Sequence, residues 1–510
     1  MRRKIDFIYI DAGGGHRAAA KALAEVIGQQ ERPWDLQFLC IQDLLDSIDY
    51  IRKSVGIPFQ DVYNIMLRRG WTLGTAQMVP VMHLAIRMSH RAQVEVLTRH
   101  WAAHRPDMVV SLIPHYNRAL REALDHAWPG TPFVTILTDI ADYPPNFWIE
   151  PLDQHVVCGS KRAADQALAM GLPESRVVRT SGMILNPRFY AQRQMNRAEE
   201  RARLGLRADL PTGLVLFGGE GSLEMARIAR CLSGAGSGVQ LILLCGRNQE
   251  AMRQLRSLDS RIPLFVEGFT RDVPYYMALA DFFIGKPGPG SISEAIAMAL
   301  PVIVERNAWT LAHERYNADW IEEQDVGMVV RSFSRIADAV REMLMPDRYR
   351  RFQERIAGMR NRAVYEIPAA LEEILSRNGV EAERDPIHCG VRGDLSFDLP
   401  TAAGTDLKVH TLPRLKMSED AEQVLRRRVA IRPKHPHEAV RRDGCRILQL
   451  PKADCGVDIV AQDRAARLLV AGEHEVDCFT KQRLAESRFP LGAFADGFAK
   501  IFGQWHRVLS

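Results

Sequence analysis

Short apolar runs separated by longer amphipathic stretches recur along the first three quarters of the chain. In residues 1–185 the runs are IDFIYI, DLQFLCI, PDMVVSLI, PFVTILTDI and QHVVCG. After MILNPRFY a second series follows, with GLVLFGGEG, VQLILLCG, PLFVEGF, ADFFIGKPGPG and LPVIVE. Runs that are apolar at consecutive positions suit strands buried on both faces, and the helical patterns between them suit the crossovers of a parallel sheet. The pattern predicts an α/β protein with two doubly wound, Rossmann-like lobes, residues 1–185 and 186–380. Ligands of such lobes sit at the carboxyl ends of the strands.

Beyond 380 the pattern changes. Residues 376–406 carry Gly, Pro and Asp without periodicity, which reads as a linker. The runs CRILQLP, VDIVAQD and RLLVAGEHEVDCF then suggest a small antiparallel unit. Phe494, Phe498, Ile501, Phe502 and Trp505 lie on one side of a final helix. Residues 381–510 are therefore expected to be a linker and a small α+β extension. His388, Cys389, His435, His437, Cys445, Cys455 and Cys478 match no zinc spacing, and no metal site is expected.

Composition narrows the function classes. A formal net charge of +5 over 510 residues is too small for a dedicated nucleic-acid binder. The 8 cysteines form no CxxC pair, so they read as reduced thiols. The N-terminus enters a strand directly, without the apolar core of a signal peptide. No apolar run is long enough to span a bilayer. A cytoplasmic chain is expected. Between 51 and 92, basic residues beside Ile57, Phe59, Trp71 and several methionines suit a surface resting on anionic lipid.

Two glycine turns carry the candidate chemistry. DAGGGH, ending at His16, follows a strand and opens a helix, so its free N–H groups suit a polar or anionic ligand. It lacks the Lys-Ser/Thr of a P-loop and the third glycine of a dinucleotide fingerprint. His16 adds a group able to move a proton near neutral pH. In the second series, GKPGPGSISEAIA places Gly288, Gly290 and Ser291 at a helix start, a seat for a diphosphate, with Glu294 one turn on, in reach of a ribose diol. FGGEGS, with Gly219 and Ser222, makes another turn at the same edge, and VEGF, ending at Phe269, suits a flat base.

Together DAGGGHRAAAKAL, PFVTILTDIADYPPNFW, SKRAADQALAMGLPESRVVRTSGMILNPRF, LFGGEGS and KPGPGSISEAIAMALPVI resemble the monogalactosyldiacylglycerol synthase and processive diacylglycerol glucosyltransferase family. The resemblance covers about residues 5–345 in family order. It implies a B-type glycosyltransferase fold, no cofactor, and inverting transfer of galactose or glucose from UDP-galactose or UDP-glucose to diacylglycerol. The enzyme would work peripherally on the inner face of the cell membrane. By motif, Gly219 and Ser222 fall near the phosphates, Phe269 at the base, Gly288, Gly290 and Ser291 at the diphosphate, and Glu294 at the ribose. Glu314 and Asn317 fall at the sugar hydroxyls. His313 stands where many relatives carry glutamine, and PPNFW where relatives often read His-Pro-Thr-Trp. On the acceptor side the resemblance implies His16 as base, with Asp139 as rival base or orienting carboxylate. Gly14, Gly15 and Trp148 would line the acceptor groove, although Trp148 equally suits packing and Asp139 a helix cap. A nucleotide-sugar epimerase of the same fold, or a non-catalytic lipid or nucleotide-sugar binder, is the alternative function.

Overall fold

The computed structural model describes residues 2–11, 14–45, 86–191, 194–308 and 310–384. The lipid-facing stretch expected around Ile57, Phe59 and Trp71, and the extension beyond 384 with its histidines and cysteines, lie outside the described residues. Strands β1 (Arg3–Tyr9), β2 (Trp34–Cys40), β3 (Met108–Ser111), β4 (Phe133–Ile136), β5 (His155–Cys158) and β6 (Val177–Arg179) form one parallel sheet in the order β2-β1-β3-β4-β5-β6. Strands β7 (Thr212–Leu216), β8 (Gln240–Leu244), β9 (Leu264–Glu267), β10 (Phe282–Gly285), β11 (Val302–Glu305) and β12 (Gly327–Val330) form a second, ordered β12-β11-β10-β7-β8-β9. The two doubly wound lobes of the sequence pattern are present. The edge strands β6 and β12 escaped that pattern.

The register follows from burial on both faces. Ile5 pairs with Leu36 on β2 and Met108 on β3, and Leu214 pairs with Ile242 on β8 and Phe283 on β10. One face of the first sheet packs Ile5 and Phe7 against Leu23 and Val26 of the helix Gly15–Gln29. The other packs Ile8 and Val109 against Leu97 and Leu120. Fully burying one such side chain stabilises the fold by about 1.5–3 kcal/mol.

The helix Ala363–Arg384 corrects part of the expected division at 185 and 380. Its residues Ala363, Val364, Ile367 and Leu371 are buried against Ile5, Phe7 and Leu23, so this segment closes the first lobe and not the second. The chain thus crosses between the lobes twice, and the crossings lie side by side. The Asn361 amide donates to the Met183 carbonyl at 2.9 Å, and the Arg362 N–H donates to Ser181 Oγ at 2.7 Å. The Ser181 hydroxyl and N–H in turn donate to the Glu366 carboxylate at 2.7 and 2.8 Å.

Candidate active site at the two switch points

In each sheet the order reverses once, between β1 and β3 in the first and between β7 and β10 in the second. The loops leaving those strands diverge, and the gap between them is where α/β sheets bind ligands. Among the described residues, the glycine turns ending at His16 and beginning at Gly219 and Gly288 leave the strands that flank these gaps.

At the first gap, Gly14 caps the helix Gly15–Gln29 without a side-chain hydrogen bond, and among the described residues nothing lies within 4 Å of where a Cβ would stand on Gly14 or Gly15. His16, one residue into that helix, donates from Nδ1 to the carbonyl of Leu112, the residue after β3, at 2.8 Å. Thr138 Oγ1 lies 3.0 Å from the same nitrogen. A carbonyl only accepts, so the proton sits on Nδ1 and Nε2 keeps its lone pair. Burial pushes the His16 imidazole down to about 4, against the opposing Leu112 bond, and nearby His313 adds to the effect. The ring is therefore neutral at physiological pH, the form a base requires.

Asp139, three residues past β4, is 6% exposed and accepts the Trp148 indole N–H at 2.8 Å. Burial pushes its carboxyl above the ordinary value, while His313 and the indole bond pull it back. Trp148 is 0% exposed, which removes it from the acceptor groove. It is instead a buried support. Its N–H holds Asp139, its ring centroid lies 5.8 Å from that of His16, and its carbonyl accepts from buried Asn117 at 3.1 Å. Asp142, which the sequence reading passed over, fixes the loop by accepting the Trp148 N–H at 2.6 Å and the Asn146 N–H at 3.0 Å.

At the second gap, Gly288 caps the helix Pro289–Ala297 with no side-chain hydrogen bond, so the first-turn amides around Gly290 and Ser291 keep their donors. Glu294, one turn into this helix, is pushed up to about 8 by burial alone. Its carboxyl is protonated at neutral pH and offers both a donor and an acceptor to a diol. Gly219 and Ser222 form the loop after β7. Gly221 in that loop and Gly246 in the neighbouring loop after β8 have φ of 64° and 57°, and a Cβ on either would strike a backbone carbonyl, of Cys245 and Gly219 respectively. Only glycine permits this close approach. Phe269, past β9, is 52% exposed beside Gly219, with the Arg247 guanidinium 4.5 Å above its ring and tied to Glu220 at 3.1 Å.

The two residues expected at the sugar hydroxyls are both buried. Asn317 is 0% exposed and donates to the Pro287 carbonyl at 2.8 Å, so it braces the glycine turn from beneath. Glu314 is 4% exposed and accepts from Lys286 Nζ at 2.7 Å. The Lys286 chain runs between the two glycine loops, close to both Gly218 and Gly288.

The two gaps face one another. The His313 ring, from the second lobe, stacks on Phe147 of the first at 5.5 Å and 12°, and His313, Glu314 and Lys286 all act electrostatically on Asp139. Phe147 and Thr138 carried no chemical signal in the sequence, since packing residues earn their place only through the fold. Among the described residues no cluster of His, Cys, Asp and Glu is arranged to hold a metal ion, and no helix is long and apolar enough to cross a membrane.

Residues 214–363 match the family described as Glycosyltransferase family 28 C-terminal domain. The chain is 28% identical over 375 residues to the monogalactosyldiacylglycerol synthase of Spinacia oleracea, covering 68% of this chain and 66% of that one. It is 30% identical over 344 residues to a probable monogalactosyldiacylglycerol synthase 2 of Oryza sativa subsp. japonica, covering 62% and 66%. Both relatives are described as chloroplastic. The chain thus spans about two thirds of the length of these relatives. Among solved structures, Arabidopsis thaliana UGT89C1 complexed with quercetin aligns with a TM-score of 0.50 at 14% identity, over 74% of this chain and 100% of that one. At that identity the likeness concerns the fold.

Proposed function

We propose that this chain, whose residues 214–363 match the Glycosyltransferase family 28 C-terminal domain and which is similar to monogalactosyldiacylglycerol synthases, transfers a hexose from a UDP-sugar to diacylglycerol with inversion. The observation that carries the reading is the facing pair of switch points. One presents a neutral imidazole with a free Nε2, and the other an uncapped helix start beside a lysine.

In this reading the donor lies in the second lobe. Its diphosphate meets the amides of Gly288, Gly290 and Ser291 and the loop of Gly219 and Ser222. The base lies on Phe269, the ribose hydroxyls on Glu294, and the hexose near Glu314. The diacylglycerol hydroxyl enters past Gly14 and Gly15 and gives its proton to His16 Nε2 as its oxygen attacks the anomeric carbon. The bond from that carbon to the phosphate oxygen breaks on the opposite side, which inverts the centre. The charge appearing on UDP is stabilised by the helix start and Lys286. Asp139, held by Trp148, supplies negative potential toward the carbon as it gains positive charge. A base in the role of His16 contributes about 10²–10⁴-fold.

The reading needs no cofactor and no metal, because Lys286 and the helix start supply the positive potential; dialysis against EDTA should leave the rate unchanged. A lipid acceptor also implies work at a membrane surface, here the inner face of the cell membrane, peripherally bound and favoured by anionic lipid. The test is incubation of the full chain with diacylglycerol liposomes and labelled UDP-galactose or UDP-glucose. Labelled glycolipid from either donor supports the reading and identifies the sugar. Epimer or free sugar without glycolipid overturns it, and UDP-sugar binding without turnover points to a binding protein.

A further inference from the structure

Ring contacts within a lobe are common in this protein, but the stack of His313 on Phe147 joins the two lobes. The ring centroids are 5.5 Å apart and the planes only 12° from parallel, an offset stack. Phe147 is 7% exposed and is itself held from behind. His115 meets it edge-on at 4.2 Å, its carbonyl accepts the His115 N–H at 2.9 Å, and Trp148 lies 6.4 Å away. The Phe147 ring is thus buried and packed, and it belongs to the loop that carries Asp139, Asp142 and Trp148.

His313 is as firmly placed on its own side. It sits in the short turn Ala312–Glu314, between buried Ala312 and Glu314, and Glu314 is tied to Lys286. The turn is therefore anchored to the glycine loops of the second gap. His313 also acts electrostatically on both His16 and Asp139, which places it beside the reacting groups of the opposite lobe.

We propose that His313 is a positioning residue for transfer, supplied by the donor lobe and held in an offset stack on Phe147 of the acceptor lobe, so that the acceptor site is complete only while the two rings are stacked. A donor lobe ordered through Lys286 and Glu314 then presents His313 to Phe147. The Phe147 loop sets Trp148, and Trp148 sets Asp139 and abuts His16. The inference rests on the transferase reading above, because it assigns a place in that reaction.

The test is a double-mutant cycle on the full chain with Phe147→Ala, His313→Ala and both together. Transfer to diacylglycerol vesicles and the Kd of UDP are measured for each. A stacked ring pair at this geometry predicts a coupling of about 2- to 13-fold in kcat/KM for diacylglycerol. The double variant should lose little more than the worse single variant. UDP affinity should stay within about twofold of the parent, which also reports that the donor lobe is folded. His313→Phe should restore most of the rate, and His313→Gln should not. Losses that multiply in the double variant, or rescue by glutamine and not phenylalanine, would overturn the proposal.

A second measurement does not need turnover. The Phe147→Cys, His313→Cys pair is treated with a short bismaleimide, and the joined peptides are sought by mass spectrometry. Cross-linking that UDP-sugar enhances supports the stack in solution even if the parent makes no glycolipid, a failure that would strike the transferase reading alone. No cross-link with or without UDP-sugar counts against the stack itself.

Discussion

Replacing Trp148 by phenylalanine tests how the acceptor-side carboxylate is kept ready. The change leaves an aromatic ring in the buried site and removes the indole N–H that Asp139 accepts at 2.8 Å. A hydrogen bond to a charged group contributes about 1.5–3 kcal/mol. Burial already raises Asp139, and the indole bond opposes that rise, so its loss moves the carboxyl further up. With Asp139 acting ionised, the acid limb of kcat/KM for diacylglycerol should move to higher pH, with the plateau at alkaline pH largely kept. The sign for stability follows from the same shift. A carboxyl raised in the folded state favours folding fully only below its unfolded value, and that contribution is lost as pH rises through the folded one. Trp148→Phe should therefore be less stable than the parent at neutral pH, and the difference arising from Asp139 should vanish as pH falls below the ordinary carboxylate range. An acid limb that stays in place while the plateau drops would refute this reasoning and leave Trp148 as packing alone.

Other substitutions separate the two gaps. His16→Ala should lower kcat by about 10²–10⁴-fold while UDP affinity, read by calorimetry, changes little; a collapse of UDP binding would contradict the assignment of this histidine to the acceptor side. Gly246→Ala puts a Cβ against the Gly219 carbonyl at a φ of 57°, so the nucleotide loop must move. UDP affinity should fall while the acceptor lobe keeps its protection from hydrogen exchange, and unchanged affinity would show that the loop is not a nucleotide site. Asn317→Ala frees the buried Pro287 carbonyl at a cost of about 1–3 kcal/mol, so UDP should bind some 5- to 150-fold more weakly if the brace matters to the glycine turn.

Much of this arrangement is legible in the sequence because fully buried parallel strands announce themselves as unbroken apolar runs. The exceptions have physical causes. β6 is only Val177–Arg179 and β12 begins on Gly327, so neither offers a run long enough to read. The helix Ala363–Arg384 is amphipathic, and nothing local states which sheet its apolar stripe will cover. Glycine turns and His16 are visible because their chemistry is local to a few neighbouring residues. The inward turn of Trp148, the bond from Asn317 to Pro287 and the Lys286–Glu314 pair depend on partners distant in sequence, and the resemblance that set Trp148, Asn317 and Glu314 beside substrate carries no sign of them. His313 stood out only by differing from its relatives. Its contact with Phe147 spans the cleft and leaves no trace in either local pattern.

The paired crossings between the lobes have a mechanical consequence. A single tether would let one half of the molecule spin and tilt freely against the other. Here two tethers run alongside, cross-braced where Ser181 and Met183 meet Asn361, Arg362 and Glu366. Such a brace resists torsion about the line joining the halves and leaves bending across that line as the compliant direction. A proteolytic nick in either tether would release the torsional restraint without parting the halves, so alignment of the two substrates would suffer before either lobe lost its fold.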